Sequence, residues 1–336
     1  MQPDDSRREF LKGAALIAGG ALLSGGLPAG AQPAEAPAAA APSSGPLSVR
    51  AYLMHITHYD PAWEKKKDTE EKFSIAAAIK VLDALKAAGM NMLIVDIEDG
   101  VEYASHPEMK KHYSVPIADL KTLSMEAASR GLLFVPKLNF SKSGRNLHDK
   151  WMTPHWDLEN FLAKGPDYWP VAEDVIAEIV ETTKPTKFFH IGMDEDHHRS
   201  LNQYVTDINR LHGILTKHNL RPIVWNDTCY EGRNVIAEVH ADKMRAAEPR
   251  LPKDIVHLTW DYDIFRKGIV ERLAKQGFEV WHAPGRDKDK IRGWGEIVRK
   301  EGGSGLVMTH WIKCSDQNEE KILKLIEKAG ETYAAA

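Results

Sequence analysis

From residue 47 onward the hydrophobic pattern switches back and forth between two periods. Short runs rich in β-branched and aromatic residues fall at 50–58, 91–97, 132–138, 187–192, 222–226, 255–260, 278–282 and 305–311. Each is followed by a stretch in which apolar residues return every three or four positions, near 73–88, 117–130, 171–183, 200–219, 236–247, 266–276, 289–301 and 318–334. The first kind of run predicts strands and the second amphipathic helices. Gly89 stands just past the first helix, where a left-handed cap is favoured. Ser200 with Gln203 has the spacing of a capping box, and Gly277 and Gly302–Gly303 close the sixth and seventh helices. Several strand runs are apolar at nearly every residue, as in Met92-Leu93-Ile94-Val95 and Ile223-Val224-Trp225. That pattern suits parallel strands covered on both faces. Eight strand–helix units predict an α/β fold, a (β/α)8 TIM barrel, as a single domain over 47–336. A nucleotide-binding open sheet would carry a glycine-rich first turn. The first turn here is His58-Tyr59-Asp60-Pro61-Ala62-Trp63, without glycine.

Composition narrows the functional classes. The 336 residues are 43% hydrophobic and 27% charged, with a formal net charge of −4. No block of like charge stands out, which argues against a nucleic-acid binder and against an acidic disordered tail. Two cysteines and no CxxC exclude a disulfide scaffold and a zinc ribbon. Cys229 and Cys314 follow strands on nearly opposite sides of the expected barrel, so no bridge between them is expected.

The first 46 residues differ from the rest. Ser6-Arg7-Arg8-Glu9-Phe10-Leu11-Lys12 precedes an apolar, glycine-rich stretch to Leu27, then Ala29-Gly30-Ala31, an A-x-A cleavage pattern. This resembles a bacterial twin-arginine signal peptide over 1–31. The apolar stretch is shorter than the ~20 residues a membrane span needs. Residues 32–46 are almost all Ala, Pro, Ser and Gly, the composition of a linker. The resemblance implies the twin-arginine translocase as a partner during export, and a periplasmic or secreted location.

Polar and aromatic residues gather at the ends of the predicted strands. In order these are His55, His58 and Asp60; Asp96, Glu98 and Asp99; Lys137 and Asn139; His190 and Asp194 to His198; Trp225, Asn226 and Asp227; Trp260, Asp261 and Tyr262; Trp281 and His282; His310 and Trp311. In a barrel of this type those ends converge on one face, where side chains from several strands build a site. Trp225, Trp260, Trp281 and Trp311 fall at four successive strand ends. One alone reads as core; four together predict an aromatic wall, suited to the C–H face of a sugar. The long connection 141–170 adds Trp151, Trp156 and Trp169.

The sharpest motif is Phe188-Phe189-His190-Ile191-Gly192-Met193-Asp194-Glu195. Strand neighbours point to opposite faces, so Asp194 and Glu195 share a pocket only if the chain turns out of the strand there. Two close carboxyls repel, and one pKa rises. A neutral Glu can protonate a leaving oxygen, while an ionised Asp stabilises a developing positive centre. Alone, the acids would also suit a solvated helix start.

His190-Ile191-Gly192-Met193-Asp194-Glu195 resembles the H-x-G-G-D-E signature of family 20 glycoside hydrolases, the β-N-acetylhexosaminidases. Asn91 to Tyr103, Val224-Trp225-Asn226-Asp227, Thr259-Trp260-Asp261-Tyr262 and Thr309-His310-Trp311 are similar, in this order, to strand ends of the hexosaminidase D-like branch. The resemblance implies a retaining mechanism without an enzyme nucleophile, in which the substrate's 2-acetamido oxygen attacks the anomeric carbon. It implies Glu195 as general acid/base and Asp194 as the residue that orients and stabilises the acetamido group. Trp225, Trp260 and Trp311 would wall the sugar, Asp227 and Tyr262 would be polar contacts, and His190 would support the site from behind. No cofactor or metal is implied, and the partner is an N-acetylated carbohydrate. Met193 stands where the motif has its second glycine, and Arg50 lies at the wrong end of strand 1 to match the family's sugar-gripping arginine.

Two other readings remain at this point. His190, Asp194, Glu195, Asp196, His197 and His198 are all potential ligands of a metal-dependent barrel hydrolase or isomerase, although no H-x-x-x-H spacing occurs. A non-catalytic glycan-binding barrel would share the aromatic wall.

Overall fold

The computed structural model describes residues 46–58, 66–142, 150–152 and 168–336. Residues 1–45, which include the stretch read as a signal peptide and nearly all of that read as a linker, and Asp60 and Trp156 lie outside the described residues.

The strand-like runs form eight parallel strands: β1 (Val49–His55), β2 (Met92–Asp96), β3 (Leu133–Lys137), β4 (Phe188–His190), β5 (Arg221–Asn226), β6 (Val256–Trp260), β7 (Glu279–Ala283) and β8 (Gly305–Met308). They pair in chain order and close into a barrel, β8 returning to β1 with Val49 opposite Gly305 and Tyr52 opposite Met308. Helices α1 (Ile75–Ala87), α2 (Ile117–Ser129), α3 (Tyr168–Thr183), α4 (Leu201–Thr216), α5 (Val235–Ala247), α6 (Ile269–Lys275), α7 (Lys288–Lys300) and α8 (Glu319–Ala335) alternate with them. The protein is therefore a (β/α)8 barrel, as the alternation of periods predicts.

Local chemistry sets the helix starts. Ser74 accepts from Ala77 N at 3.2 Å before α1. At α4 the capping box forms in both directions between Ser200 and Gln203. One feature escaped the pattern: a two-residue parallel ribbon, Val101–Glu102 with Val115–Pro116, inserted between β2 and α2.

The near-continuous apolar strands bury two faces. Tyr52, Met54, Leu93, Val95, Phe189, Val224, Leu306 and Met308 face the helices. Ala51, Leu53, Met92, Ile94, Val135, Phe188, Ile223, Leu258 and Val307 pack the barrel interior. Trp281 belongs to that interior. It meets Phe188 edge-on at 5.2 Å, and its Nε1 donates to Glu279 Oε1 and Ser304 Oγ, both at 3.0 Å. Gly305 makes room for it, since a Cβ there would lie 2.6 Å from Val49 Cβ and 3.0 Å from the indole. Trp281 thus fills the barrel below the mouth and is not part of the expected wall. The predicted strand stopped one residue early, and Ala283 is the inward residue at the end of β7.

Cys229 and Cys314 are separate, buried free thiols, and burial pushes each up to about 12.

Candidate active site

Strand alternation decides which end residues reach the mouth. His55, Asp96, Lys137 and His190 are successive register partners across β1 to β4. Partners in register share a face, and their side chains link accordingly. His55 Nδ1 donates to Asp96 Oδ2 at 3.0 Å, and Lys137 Nζ donates to Asp96 Oδ1 at 2.6 Å. Burial alone would raise the Asp96 pKa, but the Lys137 ammonium and His55 outweigh it and hold it far below the carboxylate range. Burial would likewise lower Lys137, and the Asp96, Glu98 and Asp194 carboxylates hold it up instead. His190 is fully buried, which pushes its pKa well down, helped by Lys137. The ring is therefore neutral. Its Nδ1 accepts from Gly192 N at 3.0 Å, so Nε2 carries the proton.

The expected turn out of the strand occurs directly after β4. Gly192, Met193 and Glu195 have φ of 69°, 79° and 48°. A Cβ at Gly192 would sit 2.1 Å from Asn139 Oδ1. Met193 holds a left-handed conformation that costs a non-glycine residue roughly 1–2 kcal/mol, at the position where the resembling motif has glycine. The surroundings hold it there. Asn139 Oδ1 accepts from Met193 N at 3.1 Å, and Tyr204 on α4 donates to Met193 O at 2.8 Å. Asn139 Nδ2 donates to Asp194 Oδ1 at 2.8 Å, leaving Asp194 7% exposed. Trp151 supports Asn139 from behind, donating to its carbonyl at 2.7 Å.

Glu195 is half-buried, and its backbone N–H donates to Asp227 Oδ2 at 2.8 Å. The other Asp227 oxygen accepts from Trp260 Nε1 at 3.0 Å. Asp227 is thus a brace joining the acid-bearing turn to the aromatic wall. A raised pKa falls on Asp227, which the sequence did not single out for it: burial first, then Asp194, push it up to about 7, against the two N–H donors that favour the charged form. A folded-state pKa raised from 3.8 to about 7 makes a contribution to stability that is complete below about 3.8 and lost as pH rises through about 7. Asp227→Asn removes that titration. It also sets an amide NH2 against an N–H donor at one end, a constant penalty. The variant's Tm deficit relative to wild type should therefore be largest near pH 4 and shrink toward pH 7. A deficit independent of pH would contradict the raised pKa.

The aromatic half comes from β5, β6 and β8. Trp225 lies against His190 with ring centroids 4.9 Å apart. Trp260 and Tyr262 are 5.8 Å apart, Tyr262 and Trp311 6.5 Å. Trp311, 38% exposed, closes the curve against His58 at 4.9 Å and His55 at 5.4 Å. The mouth is therefore polar from β1 to β4 and aromatic from β5 to β8, complementary to a sugar with hydroxyls on its edge and C–H groups on its face.

Other strand-end residues lie elsewhere. His282 stacks on Trp294 at 3.5 Å, and its Nδ1 pairs with Thr259 Oγ1, so it faces the helices. His310 pairs there with the Tyr52 hydroxyl. Trp169 sits on α3 under the Arg210 guanidinium at 4.4 Å. Arg50 caps the opposite end of the barrel, donating to Leu47 O and Gly89 O. The metal-ligand set drawn around His190 does not assemble. Asp196 is held by Arg199 at 2.5 Å and Lys243 at 3.0 Å, and His197 pairs with His240 at 2.9 Å. The donors that do converge among the described residues are His55, His58 and Asp96, with ligand atoms within 4.8 Å of one another. The Lys137 ammonium on Asp96 already supplies positive charge there, so the set fits a metal ion only if Lys137 moves away.

The sequence assignments lacked Asn139 and Tyr204 as positioning residues. Asn139 is two positions beyond Lys137 and so on the same strand face, which was a usable signal. Tyr204 carried none.

No family model matches the chain, and no curated protein matches it by sequence. Solved structures do. The family 20 exo-β-N-acetylglucosaminidase of Vibrio harveyi, in complex with N-acetylglucosamine, superposes with a TM-score of 0.59 at 13% identity, over 86% of this chain and 54% of that one. The family 20 β-N-acetylhexosaminidase of Streptomyces coelicolor gives 0.59 at 15% identity, over 85% and 64%. Dispersin B gives 0.51 at 14% identity, over 86% and 98%. The chain thus spans between half and two thirds of the length of the first two. At such identities the likeness is one of fold, that of the barrel found in these enzymes.

Proposed function

We propose that the protein is a glycoside hydrolase that removes terminal N-acetyl-hexosamine, GlcNAc or GalNAc, by a substrate-assisted retaining mechanism. The observation that carries this reading is the acid-bearing turn after β4. Asp194 is bonded to Asn139, and Glu195 is tied through Asp227 to Trp260, one ring of the aromatic wall. The superposition on family 20 barrels supports it.

In the proposed chemistry the terminal sugar packs on Trp260 and Trp311, with its acetamido methyl toward Trp225. Asp194, ionised, accepts from the acetamido N–H. It orients the carbonyl oxygen toward the anomeric carbon and stabilises the positive charge of the oxazolinium ion that forms. Glu195 gives its proton to the departing glycosidic oxygen, then takes one from the water that opens the ring. His190, neutral and packed against Trp225 with ring centroids 4.9 Å apart, supports that ring. Tyr262 contributes a polar contact from the wall.

A screen of aryl β-glycosides with and without a 2-acetamido group tests this. Turnover confined to the 2-acetamido compounds, with inhibition by a thiazoline mimic of the oxazolinium, is expected. Equal turnover of both sets would exclude substrate assistance, and sugar binding without turnover would favour a glycan-binding barrel.

We further propose export through the twin-arginine translocase, on the motif Arg7-Arg8 with Phe10, Leu11 and Lys12. Its receptor reads adjacent guanidinium groups. Arg7→Lys with Arg8→Lys should retain the protein in the cytoplasm, as fractionation and immunoblotting would show; unchanged export would refute the assignment.

A further inference from the structure

A cavity of about 340 Å³ adjoins the mouth on the side away from Glu195. Its walls come from the segment before α1, from the connection between β8 and α8 and from the first turn of α8, and they include Lys66, Thr69, Glu70, Trp311, Gln317 and Lys321. The volume lies at the small end of the ~300–1,000 Å³ typical of small-ligand sites. That suits a substituent or single ring rather than a polymer. Trp311 is the partition: one side meets His55, His58 and Tyr262 at the mouth, and the indole also walls the cavity.

The floor is rigid and charged. Lys313 donates to Glu70 Oε1 at 2.8 Å and to the Glu71 carbonyl, Lys67 lies 2.8 Å from Glu70 Oε2, and Thr57 donates to Glu70 Oε1 at 2.8 Å. The floor is continuous with β1, since Lys313 forms a parallel bridge with His55 and Cys314 N donates to His55 O at 2.9 Å. Three ammonium groups (Lys66, Lys313, Lys321) and two carboxylates (Glu70, Glu71) line the cavity, Lys67 is paired with Glu70 behind the wall, and Asp68 and Asp316 are the acidic chain neighbours of the lining. The acids at the start of α8 do not reverse this balance, because Glu319 pairs with Lys80 at 2.7 Å and Glu320 with Lys324 at 2.5 Å. The lining itself therefore carries one ammonium group more than it has carboxylates, and Lys66 and Lys321 are the two of them on its exposed rim.

Barrel order supplies the orientation. With eight strands in sequence, β4 and β8 are diametrically opposed. A sugar whose anomeric carbon lies at Asp194 and Glu195, after β4, points its far edge at β8 and β1. That edge carries the hydroxyls remote from the scissile bond. We propose that the cavity receives an anionic substituent, a sulfate or phosphate ester or an ether-linked carboxylate, borne on that edge of the terminal N-acetyl-hexosamine. The orientation rests on the hydrolase reading above. The proposal adds that the natural substrate is an acidic hexosamine, recognised by Lys66 and Lys321 above the paired Lys313–Glu70 floor.

The test compares the plain aryl N-acetyl-β-glucosaminide with its 6-O-sulfo and 3-O-lactyl derivatives, for the wild type and for the double variant Lys66→Gln, Lys321→Gln. At least one acidic substrate should have a kcat/KM about tenfold above that of the plain glycoside at low salt, as two ion pairs would give. Added salt should erode the advantage. The double variant should lose it while cleaving the plain glycoside at the wild-type rate. Which derivative gains separates an ester anion from a carboxylate. A plain glycoside cleaved as well as both acidic ones, or an acidic preference that survives the double variant, overturns the proposal. If no glycoside turns over at all, the hydrolase reading fails separately. Calorimetric binding of the 6-O-sulfo and 3-O-lactyl sugars to wild type and double variant then decides the cavity: weaker binding to the variant supports it, and equal binding or none refutes it.

Discussion

Asp194→Asn is expected to lower kcat on aryl N-acetyl-β-glucosaminides by about 10²–10³-fold, with good and poor leaving groups alike, the scale of losing one preorganised electrostatic group. The reason lies in the bond from Asn139 Nδ2 to Asp194 Oδ1. An amide at position 194 must turn its oxygen toward that donor, which leaves its NH2 facing the substrate. There it meets another N–H donor, that of the acetamido group, and no longer offers negative charge to the oxazolinium. The change is nearly isosteric and keeps the Asn139 bond, so the barrel should still unfold cooperatively, as circular dichroism would show. Loss of activity together with loss of affinity for the thiazoline mimic is the expected pair. Wild-type rates would remove Asp194 from the mechanism.

Glu195→Gln should show a different signature. The side chain can no longer donate a proton, but the backbone N–H still reaches Asp227, so the turn keeps its shape. General-acid assistance contributes about 10²–10⁴-fold. It matters most where the departing oxygen is basic. Loss should approach that range for an alkyl or weakly activated aryl leaving group and should nearly vanish for a dinitrophenyl one. A uniform loss across leaving groups would point to a structural role for Glu195, and no loss would exclude it as the acid.

Much of this architecture was readable from one dimension. Continuous apolar runs such as Met92 to Val95 announced strands buried on both faces, and their alternation with helical spacing announced the barrel. The mouth was legible as far as strand ends could be located. His190, Trp225, Asp227, Trp260, Tyr262 and Trp311 do come from the rim. Errors arose where a boundary moved by one residue, because side chains alternate with period two. An end at Ala283 rather than His282 changes which residue of β7 faces inward at the rim, and it leaves Trp281 in the interior. His282, between the inward Trp281 and Ala283, points outward, and His310, two residues past the end of β8, meets Tyr52 on the helix side.

Spacing and residue type along the chain determined the number of elements, their order, and the adjacency of two acids after a strand, because those depend on local periodicity and on neighbours in sequence. Three matters were decided only by folding. Met193 is held in a glycine-like conformation by Asn139 and Tyr204, residues 54 and 11 positions away in the chain. Asp227 became the brace with the raised pKa, because burial and the approach of Asp194 exist only once β4 and β5 lie side by side. The row His55–Asp96–Lys137 became a compensated ion cluster rather than three separate polar residues, since register across β1, β2 and β3 brings them within hydrogen-bonding distance. Electrostatic energy depends on separation in space and on the exclusion of water, and neither can be read from the order of residues along the chain.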